Sequence, residues 1–245
     1  MGNNRDHDAF FEQFGFFVSE MLRVTKPGRL TCVHVQQLTT RKNTEGHIGL
    51  RDFRGRCIQM YLDAGWQHFG EVAVDKCPQA QAIRTKAHSL MFCTLNKDRS
   101  NSRPGLADFV LIFKKPGENG VPILSKEVDN ETWIKWARPI WYGIQESNTL
   151  NSRAAKSEKD ERHICALQLD LIERCIKMWS NPGEHILSPF AGIGSEGHEA
   201  IRLGRRFTGI ELKPEYWQQA QLNIQRAEHV TDNELSLFSD EELSA

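Results

Sequence analysis

The chain has 245 residues, 39% of them hydrophobic and 26% charged, with a formal net charge of −1. That is enough for one large domain or a domain with an inserted lobe, and neither an internal repeat nor a low-complexity segment interrupts it. No apolar run reaches membrane-spanning length, the N-terminus lacks a signal-peptide pattern, and the near-zero net charge gives no global sign of a polyanionic partner. Cys32, Cys57, Cys77, Cys93, Cys165 and Cys175 form no C-x-x-C pair. They read as reduced thiols of a cytoplasmic protein, and no metal site is expected.

Residues 8–24 fit an amphipathic helix with Phe10, Phe14, Phe17, Val18 and Met21 on one face. These aromatics are read as core. Lys26-Pro27-Gly28 stops the helix, and Leu30–Val35 is β-branched and apolar, a strand. Gln36 to Gly49 is a polar loop. Residues 50–64 suit a second helix with Phe53, Cys57, Met60 and Tyr61 on one side and Gly65 as its C-cap. Trp66 to Val74 reads as a strand, residues 76–104 as polar and basic with little periodicity, and Asp108–Phe113 as a strand closed by Lys115-Pro116-Gly117. From 117 to 157 Pro, Gly, Asn and Ser are frequent, and Trp133, Trp136, Trp141 and Tyr142 cluster. Asn151 to Lys159 is a polar linker. Residues 161–180 then suit a helix with Ile164, Leu167, Leu171, Cys175 and Met178 on one face.

Charge is distributed unevenly along this path. Between Arg41 and Arg56 five Arg/Lys face Glu45 and Asp52, and between Arg84 and Arg103 five face Asp98 alone. Residues 230–245 hold five acids and no base, and read as a solvated tail.

The most informative stretch is 184–217, EHILSPFAGIGSEGHEAIRLGRRFTGIELKPEYW. A short apolar strand, His185–Leu187, enters Ser188-Pro189-Phe190. Ala191-Gly192-Ile193-Gly194 then turns with almost no side-chain bulk, so backbone can approach a ligand. A helix follows from about Glu196, with its N-terminus toward whatever lies over the turn. Phe207–Ile210 is the next strand and ends at Glu211, where a carboxylate can accept hydrogen bonds from two ribose hydroxyls. Pro214 opens a further helix with Trp217, Ala220, Ile224 and Ala227 on its buried face. This is a nucleoside-cofactor site on a βαβ unit. Gly192, Gly194 and Gly197 also satisfy G-x-G-x-x-G, with Glu211 19 residues after Gly192, so spacing alone leaves a nicotinamide cofactor open. Pro189-Phe190 before the glycines pulls away from that reading.

The run SPFAGIGSEG…GRRFTGIELKPEYW resembles the cofactor motif of the S-adenosylmethionine-dependent amino DNA methyltransferases. Their usual form is D-P-F-x-G-S-G-T, then G-x-E at the second strand. Here Ser188 replaces the Asp and Ile193 the Ser. The likeness is specific over 158–229 and looser over 8–115. It implies an α/β fold: a Rossmann-like methyltransferase sheet with helices on both faces and an antiparallel edge hairpin, at the Lys115-Pro116-Gly117 strand. It also implies methyl transfer to adenine N6 or cytosine N4 of double-stranded DNA, as in restriction–modification systems. Ser188, Pro189, Phe190, Ala191, Gly192, Gly194 and Glu211 would hold S-adenosylmethionine. His163 and Ile164 match the family segment that packs around the methionine moiety. Arg41, Arg54, Arg84 and Lys86 are the candidate phosphate contacts.

The resemblance implies a second motif, [D/N/S]-P-P-[Y/F/W], that aligns the exocyclic amine and stacks on the flipped base. The chain contains no Pro-Pro, so its catalytic residues are unassigned. In the circularly ordered subgroup that motif precedes the helix with which this chain begins. The expectation is therefore a sheet incomplete at the N-terminus, the C-terminal portion of a longer enzyme, with exposed strand edges that invite a homodimer or a complementing subunit. The expected organisation is 1–116 as the first half of the sheet, 117–157 as a target-recognition insert or flap, 158–229 as the cofactor half, and 230–245 as the acidic tail. A nicotinamide-dependent oxidoreductase, a non-catalytic DNA-binding subunit and an RNA or protein methyltransferase remain as rival readings.

Overall fold

The computed structural model of the chain describes residues 7–40, 42–124, 126–151 and 166–242. In chain order the elements are α1 (His7–Val24), β1 (Leu30–Gln36), β2 (Leu38–Thr39), α2 (Lys42–Glu45), β3 (Leu50–Arg51), α3 (Phe53–Asp63) and β4 (Gln67–Val74). Then come α4 (Pro78–Thr85), α5 (Phe92–Lys97), β5 (Asp108–Lys114), α6 (Asn130–Trp136), β6 (Ile140–Trp141) and α7 (Leu169–Trp179). The glycine-rich stretch supplies β7 (His185–Ser188), α8 (Ser195–Arg202), β8 (Arg206–Gly209) and α9 (Pro214–Glu242). Contacts divide the chain into two compact units. One holds the residues up to Pro122 with Ala137–Gly143; the other holds Ile123–Trp136 and the residues from Ile144 on.

In the first unit a four-stranded sheet runs in the order β1-β5-β4-β6. β5 is antiparallel to both β1 and β4, with Cys32 opposite Ile112 and Val72 opposite Val110. The expected antiparallel strand is thus present but lies inside the sheet, because β1 pairs with its second side. Both faces of β5 are covered: Val110, Leu111, Ile112 and Phe113 are all buried. That explains a continuous apolar run where a one-sided strand would alternate. β6 pairs in parallel with β4, Val74 opposite Trp141. Trp141 is wholly buried, so one indole of the aromatic cluster is sheet core.

One face of this sheet carries α1 and α3. Phe11, Phe14, Val18, Cys57, Tyr61 and Trp66 pack with Leu111 and Phe113, and Tyr61 stacks on Phe113 at 4.1 Å between ring centroids. Phe11, absent from the face expected for α1, is buried in this core while Phe10 is only partly buried, and Phe53 lies 5.2 Å from the Phe11 ring. Burial pushes the Cys57 thiol up to about 12. α3 starts at Phe53, later than the expected residue 50. Leu50–Arg51 instead pairs with Leu38–Thr39, and the Asp52 carboxylate accepts from Gly55 N at 2.8 Å as the N-cap. The two Lys-Pro-Gly turns meet: Gly28 N donates to Lys115 O, and Lys115 Nζ donates to the Thr25 carbonyl at 2.7 Å, capping the C-terminus of α1.

The second unit contains a parallel pair, β7 and β8, with Leu187 opposite Thr208. Ile172 and Ile176 of α7 and Ala200 of α8 form a buried cluster with Ile186 and Phe207 against it. α7 starts at Leu169, where the expected helix began at 161. Gln168 has extended backbone and Leu169 N donates to Asn148 O, so the helix begins where that bond is made. Its buried stripe is Leu171, Ile172 and Ile176. On α9 the buried positions are Tyr216, Ala220, Asn223 and Ala227, while Trp217 is half exposed. The helix continues through Glu242, past the tail boundary expected near 229. Arg205, with no exposed side-chain surface, holds the strand entry together. It forks onto Glu127 at 2.7 and 2.8 Å and donates to Ser180 O and Leu203 O.

Candidate cofactor site

The turn between β7 and α8 is fixed by bonds on several sides. Ile210 N donates to Ser188 O at 2.9 Å and Ala191 N to Ile210 O at 2.9 Å, extending the ladder past the strand ends. Gly194 N closes the turn on Ala191 O at 2.7 Å. Asn223 Nδ2 of α9, buried, donates to Ile193 O at 2.8 Å. Two glycines are required by conformation, since Gly192 has φ +52° and Gly194 φ +83°. A Cβ on Gly194 would also sit 3.0 Å from the Cα and Cβ of Ala220. Ala191 and Ile193 are buried, Ser188 turns inward, and Phe190 is 52% exposed.

Glu211 stands at the end of β8, as its place in the sequence requires. Its Oε2 accepts from Gly192 N at 2.9 Å and its Oε1 from Lys213 N at 2.8 Å. The carboxylate therefore touches the glycine turn directly. Each carboxylate oxygen has two acceptor sites, so one on each stays available to a diol. Leu212, the next residue, is 90% exposed; an apolar side chain in solvent beside this acid was not singled out from the sequence. The first hydrogen bond of α8 runs from His198 N to Gly194 O, so the positive end of the helix dipole opens at the turn.

Of the other candidates, His163, Ile164 and Arg41 lie outside the described residues. Arg84 is in α4, and its side chain also lies outside the description. Lys86, exposed, ends that helix in the left-handed region at φ 52°. Arg54 is engaged elsewhere: its Nε and Nη2 fork onto the Glu71 carboxylate, and its guanidinium lies 4.8 Å from the Phe109 ring centroid. A phosphate contact there would have to break that pair.

A second polar group emerged that the sequence reading missed. At the carboxyl ends of β1 and β4, Asp108 accepts from Lys76 Nζ at 2.8 Å and Gln36 Nε2 at 2.7 Å, and pairs with His34 Nε2 at 3.1 Å. Burial would raise the Asp108 carboxyl, but the hydrogen bonds from His34 and Lys76 outweigh it and hold it below its ordinary range. The available signal was polar residues placed at one end of otherwise apolar strands: His34 and Gln36 in LTCVHVQ, and Asp108 opening DFVLIFK. In open α/β sheets that end faces the ligand. Among the described residues no group of three or more His, Cys, Asp or Glu could hold a metal ion, and no helix is long and apolar enough to cross a membrane.

Comparison with known proteins agrees with this fold. The chain is similar to the type II methyltransferase M.BglI of Bacillus subtilis, 31% identical over 129 residues, which cover 51% of this chain and 33% of that protein. It is also similar to the DNA adenine methyltransferase YhdJ of Escherichia coli K12, 41% identical over 66 residues, covering 27% of this chain and 22% of that one. The matches thus span a third or less of these relatives. Among solved structures, the DNA modification methylase TTHA0409 of Thermus thermophilus, complexed with S-adenosyl-L-methionine, superposes with a TM-score of 0.67 at 21% identity. That match covers 90% of this chain and 78% of the other. The cytosine-N4-specific PvuII DNA methyltransferase gives 0.62 at 16% identity, covering 90% and 74%. At such identities these two structures speak to the fold, a Rossmann-like methyltransferase sheet. The family model described as DNA methylase, for N6 and N4 methyltransferases, matches residues 1–222. The chain belongs to that DNA methylase family.

Proposed function

We propose that this chain binds S-adenosylmethionine at the Ser188–Gly194 turn and serves site-specific methylation of adenine N6 or cytosine N4 in cytoplasmic double-stranded DNA. The observation that carries the reading is the clasp between Glu211 and Gly192 N. It fixes an acceptor for two ribose hydroxyls beside a turn that a cofactor can approach closely. Gly192 and Gly194 shape the turn, with Pro189 and Phe190 at its entrance, and His163 and Ile164 are the proposed contacts to the methionine end. Lys86, Arg84 and Arg41 remain proposed phosphate contacts. Arg54 is the weakest of the four, because Glu71 already occupies it.

Methyl transfer from a sulfonium needs positioning more than acid–base chemistry. The chain has no Pro-Pro to position the amine. Its own role is therefore cofactor and DNA binding, with transfer requiring that motif from elsewhere, as in a complementing subunit. The test is incubation of the purified chain with methyl-tritiated S-adenosylmethionine and unmethylated DNA, read both for cofactor bound under ultraviolet crosslinking and for label in DNA. Crosslinking competed by S-adenosylhomocysteine, with no label in DNA, is expected. Turnover by the chain alone refutes the dependence on a second motif; absence of competed crosslinking refutes the cofactor reading. The nicotinamide reading has no support in the family match.

A further inference from the structure

A cleft of about 570 Å³ opens in the first unit beside the carboxyl end of β4. Leu90, Phe92, Leu95, Pro104, Ile140 and Tyr142 line much of it, and Phe92, Leu95, Ile140 and Tyr142 are exposed. Large apolar side chains gathered in the open around a hollow of this size mark a surface that another segment covers.

The segment that walls the cleft is also basic. Lys86, Lys97 and Arg99 are exposed, and none of them has a carboxylate partner among the described residues. Arg103 donates to Pro104 O at 3.0 Å and likewise has no described carboxylate. Asp98, the one acid between residues 84 and 103, turns onto Ser100 and Asn101 at 2.7 Å each. Lys76 on the lining is paired with Asp108, and Asp75 is the acid there. Cations thus outnumber acids around an apolar hollow. The partner that fits is a segment in which acids and apolar side chains are interleaved and bases are absent. A phosphate backbone would use the cations and leave Leu95 and Ile140 in water.

The chain carries such a segment itself. Residues 230–245 contain Asp232, Glu234, Asp240, Glu241 and Glu242 but no Lys or Arg, and Leu235, Leu237 and Phe238 lie among these acids. Helix α9 runs through the segment to Glu242, and Val230 at its start is exposed; the side chains beyond Val230 lie outside the description. The formal net charge of −1 therefore conceals two opposite blocks, one in each unit. Two copies can exchange tails about a two-fold axis, so that both contacts form at once and the assembly closes. We infer that the cleft is a self-association site that takes the acidic segment 230–245 of a second copy, its acids against Lys97, Arg99 and Arg103 and its Leu and Phe residues against the exposed wall. The inference goes beyond the methylation reading and rests on neither its cofactor nor its DNA.

The test is sedimentation velocity of the whole chain across a concentration series at low and at high salt. A dimer is expected at low salt, dissociating as added salt screens the contact. Lys97→Glu together with Arg99→Glu should abolish it, and so should Asp240→Lys with Glu241→Lys and Glu242→Lys. Mixing these two variants one to one should restore a dimer, because each tail then meets a cleft of opposite sign. Phe238→Ser should weaken the parent dimer roughly tenfold or more. Parental far-ultraviolet circular dichroism in every variant shows that the fold is kept. A parent chain that stays monomeric at every concentration and salt overturns the inference, and so does a dimer that either reversal leaves intact or that mixing fails to restore. A monomeric chain whose Lys97→Glu, Arg99→Glu variant loses affinity for duplex DNA would assign these cations to phosphate and overturn it as well.

Discussion

Glu211→Gln separates the two tasks assigned to this carboxylate. In the free chain Glu211 accepts from Gly192 N at 2.9 Å and Lys213 N at 2.8 Å. The amide keeps one acceptor oxygen, so one of those two N–H groups meets an NH₂ donor. A hydrogen bond to a charged acceptor contributes about 1.5–3 kcal/mol, and partial hydration of this half-buried site reduces the loss to about 1–2 kcal/mol. For a chain of this length that lowers Tm by about 2–8 °C. The cofactor feels a different loss, because a diol that met two anionic oxygens meets one neutral one. Another charged hydrogen bond, again about 1.5–3 kcal/mol, weakens S-adenosylmethionine by roughly 10- to 150-fold. Calorimetric titration gives the Kd and a thermal melt gives the stability. A folded Glu211→Gln chain that binds S-adenosylmethionine within twofold of the parent refutes the reasoning.

Other substitutions probe the parts that hold this site. Gly194→Ala forces a side chain into φ +83° against Ala220; a loss of about 1–2 kcal/mol in urea unfolding is expected from backbone strain alone, together with weaker cofactor binding. Arg205→Met leaves Glu127 and Ser180 O without their cation, and should cost about 3–5 kcal/mol, most of it recovered when Glu127→Leu is added; melts of the single and double variants decide. The Asp108 carboxyl is held below its unfolded value, so its stabilisation is complete above the ordinary carboxylate range and is lost as pH falls through the folded value. Urea midpoints should therefore fall as pH drops below about 4, and less steeply in Asp108→Asn.

The turn and its acid were legible because a βαβ cofactor site is local: strand, glycines, helix and carboxylate all lie within Glu184–Trp217. Helices with a clear apolar period were legible for the same reason. What was hidden depended on distant partners. Trp217 and Tyr216 are both aromatic in the sequence, and it is the distant cluster of Ile193, Leu150 and Ala166 around Tyr216 that shows which faces inward. Arg54 reads from its basic neighbourhood as a phosphate contact, but Glu71, 17 residues on, already takes its guanidinium. β6 is two residues long and gains its identity from the ladder to β4. The Asp108 cluster joins residues up to 74 apart in sequence, beyond any local rule.

The central claim is that the Ser188–Gly194 turn with Glu211 is a site for S-adenosylmethionine. Calorimetric titration of the purified chain with S-adenosylhomocysteine and, separately, with NADH tests it most directly. The account expects saturable one-to-one binding of S-adenosylhomocysteine and no heat from NADH. Saturable NADH binding with no response to S-adenosylhomocysteine would contradict it.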